Sequence, residues 1–234
     1  MSIFLQIIAS IIISDVLIAF FHWIEDTYFD YCMNIPILRG IAKRNEMHHY
    51  FPRDIMYTSF LKSIMVPTTI SLLIVLSVAV VCSPRFVIKY AYFFATLVLI
   101  GTFSGYMHAL CHARNCERPP WYALLSEMGI LVGHEHHKQH HDIPTCKYGV
   151  LFPMTNYLLD GIGFWRFLEK IVLVVTGIRP NSKIPYNELA HAIGYTRMHE
   201  LTKRSDCPRV VDENELKELT RMLEAHYACS YHRR

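Results

Sequence analysis

The chain has 234 residues, of which 52% are apolar and 18% are charged, and its formal net charge is only +3. This charge is too small to indicate nucleic-acid binding, and the apolar content exceeds that of an average soluble protein. The apolar residues gather into long runs in the first half of the chain, which predicts an integral membrane protein. Seven cysteines without a C-x-x-C pair indicate neither a disulfide framework nor a zinc ribbon, so we interpret them as reduced packing residues.

The first apolar run, residues 3–21, is long enough for a helix to cross the hydrocarbon layer. No basic segment precedes it and no small-residue cleavage site follows it, so we expect a retained anchor and not a removed signal peptide. Asp15 is the anomaly, because a carboxylate at this depth is costly and usually faces protein or water. Asp15 is therefore either a functional residue or a residue near the interface of a tilted helix.

After the first span, His22 and Asp26 are one helical turn apart, so one could ligate a metal while the other orients it. Trp23 fits an interfacial aromatic belt. The following basic loop contains the adjacent pair His48 and His49, which on a helix point about 100° apart. The pair would therefore serve two different metals, or one metal and the groups that orient its ligands.

Two further uncharged runs, residues 64–81 and 90–107, also have the length of a membrane span. The last of these runs ends directly in His108 and His112, again one helical turn apart. Basic residues concentrate after the first and third spans, so the positive-inside rule places both of these segments on the cytosolic side and the N-terminus outside. Three spans would then bring these histidines to the cytosolic face of the membrane.

Residues 133–144, GHEHHKQHHDIP, contain the densest set of histidines. Imidazole is a neutral, borderline metal ligand that also titrates near pH 6.5, so the segment indicates either a metal site or a proton relay. The spacing favours metal, because His137 and His141, and likewise His136 and His140, would be one helical turn apart. The apolar residues 121–132 before this segment are too few to span, so we expect a buried or re-entrant helix there.

The remaining chain predicts peripheral elements. Residues 161–177 have the pattern of an amphipathic interfacial helix. Residues 1–180 would form the membrane domain, and residues 181–234 a small soluble tail with one helix that begins at Asp212 and Glu215. The expected fold is an all-α integral membrane protein with about three spanning helices, interfacial helices, and a di-metal histidine site at the cytosolic membrane face.

The candidate ligands are too many for one metal, because a catalytic zinc needs three protein ligands and an open position. The nine candidates are His22, His48, His49, His108, His112, His136, His137, His140 and His141. The chain has no H-E-x-x-H motif, which disfavours a zinc protease. Two irons held mainly by imidazole could bind and reduce dioxygen and abstract hydrogen from an unactivated C–H bond. Asp26 is the candidate catalytic carboxylate, and a lipid of the surrounding membrane is the expected substrate.

The sequence resembles the Kua family of membrane lipid desaturases, which includes plasmanylethanolamine desaturases and a plastid desaturase of phosphatidylglycerol acyl chains. Spaced motifs over residues 14–180 carry the resemblance: Asp15, His22-Trp23 and Asp26, His48-His49, GTFSGYMHALCH, HHKQHHDIP, Asn156-Tyr157, GIGFWRFLE and TGIRP. The resemblance implies a di-iron, O2-dependent desaturase of the endoplasmic reticulum that takes electrons from cytochrome b5 or a similar donor. It implies that the histidines named above, with His136 as in the plasmanylethanolamine branch, are the iron ligands.

Two departures from the family pattern leave the phospholipid substrate open. Gly129 stands where the plasmanylethanolamine branch has a histidine, as in the plastid branch, and His134 stands where a basic residue is usual. We expect conversion of the alkyl ether chain of plasmanylethanolamine to a vinyl ether, with an acyl chain as the alternative. A membrane lipid hydroxylase would use the same irons, whereas a non-enzymatic metal-binding membrane protein would need ligands distributed through the spans.

Overall fold

The computed structural model describes residues 1–29, 33–50, 52–181 and 221, and this part of the chain is helical without strands. In order, its helices are α1 (Ile3–Tyr28), α2 (Pro36–Tyr50), α3 (Phe60–Cys82), α4 (Pro84–Lys89), α5 (Ala91–Cys111), α6 (Pro120–Glu127), α7 (His134–Asp142), α8 (Pro153–Gly161) and α9 (Phe164–Thr176). The all-α class is thereby confirmed. Apart from residues 181 and 221, the expected tail with its helix at Asp212 and Glu215 lies outside the described residues.

Helices α1, α3 and α5 are each long and apolar enough to cross a membrane, which confirms the three predicted spans. Each helix extends beyond the apolar run that predicted it. Helix α1 continues to Tyr28 and α5 to Cys111, so His22, Asp26 and His108 lie in the last turns of these helices. Helix α3 begins at Phe60, so Pro67 lies inside this helix.

The polar side chains of α1 face the protein. Gln6, Ser10, Ser14 and Asp15 are all at most 6% exposed, and the first three recur every four residues, so they share one face of the helix. The Ser10 hydroxyl donates to the carbonyl of Phe93 at 2.7 Å, and the Gln6 side-chain oxygen accepts from the Phe93 amide at 3.4 Å. Asp15 is buried midway along α1, so its carboxylate faces protein, as expected for a charged group in an apolar run.

Helix α5 is the centre of the spanning bundle, because it packs against both α1 and α3. Two glycines allow its close approach to α3. A Cβ atom at Gly101 would meet the hydroxyl of Ser71, and a Cβ atom at Gly105 would meet the carbonyl oxygen of Ser63. In a regular helix the Ser63 carbonyl would accept a hydrogen bond from the amide of residue 67, but Pro67 has no N–H to donate. Small residues let helix backbones approach in the same way at many membrane interfaces.

Helix α6 is too short to cross a membrane, as predicted for this apolar segment. It buries Tyr122, whose hydroxyl donates to the carbonyl of Val132 at 2.6 Å. Tyr122 also packs against Leu110 of α5. The segment therefore folds back against the end of α5 and leads directly into the histidine-rich helix α7.

Helix α9 is amphipathic, as predicted, because it buries Trp165 and Glu169 and exposes Phe167. Trp165 stacks on Trp23 of α1, with ring centroids 5.8 Å apart, and the Trp23 indole donates to Glu169 at 3.5 Å. Trp23 is only 2% exposed. It therefore belongs to the core between α1 and α9, and its assignment to an aromatic belt was wrong.

Replacing Gly105 with valine should weaken the packing of α3 on α5, because no side chain fits between Gly105 and the Ser63 carbonyl. We expect the free energy of unfolding to fall by about 1–3 kcal/mol, the usual cost of overpacking. Gly40→Ala is the control, since nothing lies within 4 Å of the added Cβ atom. Thermal unfolding in detergent micelles measures the effect, and an unchanged midpoint for Gly105→Val would contradict this packing.

Candidate metal centre

The ends of four helices meet at one end of the three spans and bring most of the predicted site residues together. Helix α1 contributes His22 and Asp26, α2 contributes His48 and His49, α5 contributes His108 with His112 at its C-cap, and α7 contributes His137, His140 and His141. Side chains one turn apart project from the same side of a helix. The ends of α1, α5 and α7 can therefore each direct two donor groups into the shared site, whereas the consecutive His48 and His49 of α2 point about 100° apart.

The first set of donors, which we call the five-histidine group, consists of His48, His108, His112, His137 and His141. Each ring offers one nitrogen that lies within 4.8 Å of all the others. Nε2 of His108 lies 3.0 Å from Nε2 of His48 and 2.9 Å from Nε2 of His137, and Nε2 of His141 lies 3.3 Å from Nε2 of His137. A ring nitrogen carries either a proton or a lone pair, so His108 Nε2 cannot form a good hydrogen bond to both neighbours at once.

The second set, the aspartate group, consists of His22, Asp26, His49 and His140, whose donor atoms also lie within 4.8 Å of one another. Asp26 Oδ1 lies 2.9 Å from Nε2 of His49, and Asp26 Oδ2 lies 3.1 Å from Nε2 of His140. His22 Nε2 is 3.6 Å from Asp26 Oδ2. The sequence neighbours His48 and His49 therefore point into different groups, as the first of the two sequence alternatives predicted.

The geometry of both groups suits metal ions. Two ligand atoms about 2.1 Å from one metal and at right angles to each other are about 3.0 Å apart. The Nε2 atoms of the five-histidine group are 2.9 to 3.3 Å apart, and the Asp26 oxygens lie 2.9 and 3.1 Å from His49 and His140. Within the described chain, Nε2 of His22 and Nε2 of His112 are buried without a hydrogen-bond partner. Burial, followed by the neighbouring imidazoles, lowers the pKa of His48, His112 and His137 far below its ordinary value. These rings are therefore neutral at pH 7 and offer lone pairs.

Backbone carbonyl groups orient two rings of the aspartate group. His22 Nδ1 donates to the carbonyl of Tyr148 at 2.8 Å, and His140 Nδ1 donates to the carbonyl of Cys146 at 2.6 Å. Because a carbonyl oxygen only accepts, each ring carries its proton on Nδ1 and directs the Nε2 lone pair toward Asp26. The sequence left open whether Asp26 orients His22 or is itself a ligand. The contact between His22 and Tyr148 favours the second role.

Asn45 is a further site residue that the sequence did not indicate. Its side-chain nitrogen donates to Asp26 Oδ1 at 2.6 Å, so it holds the carboxylate in place. Asn45 lies one helical turn before His49 on α2, and this spacing is a signal that could have identified it. The carbonyls of Tyr148 and Cys146 leave no such signal, because every residue has a carbonyl group.

His136 lies outside both groups, although its spacing to His140 predicted a ligand. Consecutive residues on α7 point about 100° apart, so His136 turns away when His137 faces the site. Nε2 of His136 accepts a hydrogen bond from Asn156 Nδ2 at 3.0 Å, and burial lowers the pKa of His136 to about 4. Asn156 also donates to the Gly149 carbonyl at 2.8 Å and accepts from the Gly149 amide at 2.7 Å. His136 thus helps to fix the segment beside Tyr148.

An ion pair links the loops that follow α2 and α5. The guanidinium of Arg53 donates to both carboxylate oxygens of Glu117, at 3.1 and 2.9 Å. These hydrogen bonds lower the pKa of the Glu117 carboxyl. Because Arg53 is only 8% exposed, the pair is better protected from water than a typical surface ion pair. It holds together the two helix ends that supply His48 and His108.

Three membrane-length helices and two largely buried groups of residues that could hold a metal define a helical membrane protein with a candidate metal site. The lipid desaturase domain model matches residues 11–183, which is most of the chain. The chain therefore belongs to the lipid desaturase domain family, and we describe it as a lipid desaturase, an oxidoreductase.

Individual relatives agree with this assignment. The chain is 29% identical to a probable fatty acid desaturase of Acanthamoeba polyphaga mimivirus, over 77% of this chain and 87% of that protein. It is 27% identical to plasmanylethanolamine desaturase 1 of Mus musculus, over 76% and 68% of the two chains. It is also 27% identical to the chloroplastic fatty acid desaturase 4-like 2 of Arabidopsis thaliana, over 74% and 61%. These matches confirm the resemblance to the Kua desaturases, while no solved structure matches.

Replacing Asn45 with alanine should weaken metal binding by the aspartate group, because Asp26 loses the donor that holds it. Losing such an outer partner typically lowers metal affinity or activity about 10- to 100-fold. Arg44→Ala, an exposed neighbour on the same helix, is the control and should leave the affinity unchanged. Titration of the purified, metal-free protein with ferrous iron measures the effect. Equal affinities for Asn45→Ala and the unmodified protein would mean that this contact does not support the group.

Proposed function

We propose that this lipid desaturase is a di-iron, O2-dependent enzyme that converts the alkyl ether chain of plasmanylethanolamine to a vinyl ether. The observation that carries the proposal is the convergence of eight histidines and Asp26 into two separate donor groups. Both groups lie near the C-terminal ends of the spanning helices α1 and α5. The five-histidine group and the aspartate group would each hold one iron. Bound irons would allow the enzyme to reduce dioxygen and to oxidise an unactivated C–H bond.

The proposed reaction removes one hydrogen atom from each of two neighbouring carbons and leaves a double bond between them. Dioxygen is reduced to two water molecules by two electrons from the lipid and two electrons, with two protons, from outside. The residues of the chain hold the donors in place: the Tyr148 and Cys146 carbonyls orient His22 and His140, and Asn45 orients Asp26. His22, Asp26 and His140 are at most 7% exposed, and their burial keeps bulk water away from the site.

We further propose that the enzyme lies in the endoplasmic reticulum with its histidine groups toward the cytosol. Exposed basic residues on α2, among them Arg39 and Arg44, support this orientation through the positive-inside rule. A cytochrome b5-type protein on the same side of the membrane would deliver the two electrons.

An acyl chain of a phospholipid is the second candidate substrate. Two of the relatives described above carry the name of fatty acid desaturases, at the same level of identity as the plasmanylethanolamine desaturase. Gly129, which matches the plastid branch, has a φ angle of +70° just after α6. Glycine adopts this angle without strain, so the residue serves a turn here, where the other branch has a histidine.

Lipidomics of plasmalogen-deficient cells that express the chain tests the proposal. Vinyl ether lipids should form with the unmodified protein and with Leu73→Ala, which alters an exposed side chain of α3. They should be absent with His137→Ala at equal protein level, because the five-histidine group loses a donor. If new double bonds form in acyl chains and no vinyl ether lipid is made, the substrate is an acyl chain and not the alkyl ether chain. No new double bond in either chain type, with the protein stably expressed, would overturn both.

The purified protein should contain about two irons per chain, since each donor group has enough ligands for one ion. His108→Ala should lower the iron content toward about one per chain, because it alters only the five-histidine group. His134→Ala is the control, since this ring bonds to the Cys111 carbonyl outside both groups. Elemental analysis measures the content. One zinc per chain in a protein that remains active would contradict the di-iron proposal.

A further inference from the structure

A cleft runs between α1 and α3, with α5 as its back wall. Helix α5 packs closely against both of these helices, whereas α1 and α3 are not a closely packed pair in the described chain. The side of the cleft opposite α5 therefore opens between two membrane-spanning helices. In a bilayer, this opening would face the hydrocarbon layer.

The cleft extends from the candidate metal centre into the membrane interior. At one end it is bordered by His22 of the aspartate group and His108 of the five-histidine group, so it touches both. At the other end it is bordered by Ser14, Ile74 and Leu97, one from each spanning helix. Leu97 and His108 are eleven residues apart on α5, or about 16 Å at 1.5 Å per residue. This distance is roughly half of a hydrocarbon layer about 30 Å thick.

The walls of the cleft suit a hydrocarbon occupant. They consist mainly of aliphatic side chains, among them Leu17 and Ile70, while the polar Glu25 and Asn45 come from the same ends of α1 and α2 as the histidines. The walls contain three serines, and two of their hydroxyl groups already donate a hydrogen bond within their own helix. Ser71 donates to the Pro67 carbonyl and Ser104 to the Gly101 carbonyl, both at 2.8 Å. Of these three serines, only Ser14 has a buried hydroxyl without a hydrogen-bond partner among the described residues. A strongly polar ligand would lose its hydration here without enough partners to replace it.

We propose that this cleft binds one hydrocarbon chain of a membrane lipid, which enters sideways between α1 and α3, and that Ile74 and Leu97 limit the length of the bound chain. A chain that ends against these residues passes both His22 and His108. The distance from the closed end to the histidines then selects which carbons lie at the metal centre. The inference rests on the proposed function for the chemistry, whereas the occupant follows from the walls of the cleft and its position in the membrane.

Substitutions at Ile74 should change chain-length preference in both directions. Ile74→Trp shortens the cleft and should favour shorter chains, while Ile74→Ala lengthens it and should admit longer ones. Each methylene that is displaced or newly buried should change the preference roughly fourfold. The matched controls are Leu73→Trp and Leu73→Ala, because Leu73 is the neighbouring residue on α3 and is 55% exposed. The measurement is competition between two lipids that differ only in chain length.

An unchanged preference in active Ile74 variants would overturn the proposal. If Ile74→Trp is inactive, the test rests on Ile74→Ala. A misfolded protein could not acquire activity on longer chains, so such a gain cannot be an effect of misfolding. A shift toward longer chains supports the closed end, and no shift overturns it.

Photo-crosslinking separates chain binding from catalysis. The probe is a phosphatidylethanolamine with a diazirine near the end of one chain, in nanodiscs that contain the full-length protein. Labelling should fall on cleft residues such as Ile74 and Leu97, and Ile74→Trp should lower the labelling of Leu97. Labelling confined to outward residues such as Leu73 would overturn the cleft as a binding site. Cleft labelling in a protein that forms no desaturated lipid would instead overturn the proposed function and leave the binding site standing.

Discussion

Imidazole nitrogens face one another at 2.9 to 3.3 Å in a buried space, and the rest of the site has to accommodate this arrangement. A buried polar atom without a partner costs about 1–3 kcal/mol, and several of these rings have such an atom. The surrounding structure offsets that cost by holding the donors from outside. Carbonyl groups orient rings of the aspartate group, Asn45 holds Asp26, and the Arg53–Glu117 pair joins the loops next to α2 and α5. Cations held between the facing Nε2 atoms would use the lone pairs of these nitrogens.

Helix α5 connects the membrane part of the protein to this site. One side of it packs on α1, where the polar side chains of the first span are buried, and another packs on α3 through Gly101 and Gly105. Its end supplies His108 and, at the C-cap, His112. The same helix forms the back wall of the cleft that leads to these rings. Small shifts of α5 within the bundle would therefore move the donors and the wall of the cleft together.

The sequence predicted the features that depend on local periodicity. Apolar run length identified the three spans, and one-turn spacing identified the pairs His108 with His112 and His137 with His141. The 100° angle between consecutive helical residues anticipated that His48 and His49 could separate into two groups. Contacts between distant segments were beyond this reasoning, because the same local pattern fits several tertiary partners. It could not exclude His136, which bonds to Asn156 twenty residues later, nor place Trp23 in the core against Trp165.

The position of His48 and His49 side by side on α2 has a consequence for how the two groups fill. The end of one helix supplies a donor to each group, so an ion bound by His48 or His49 would restrain the part of α2 that carries both rings. The first ion would then bear the cost in conformational entropy of restraining that helix end, and the second ion would not bear it again. Binding of the first ion should thereby raise the affinity for the second, which is positive cooperativity. At limiting metal, the population would divide into empty and doubly filled molecules, with few that hold a single ion.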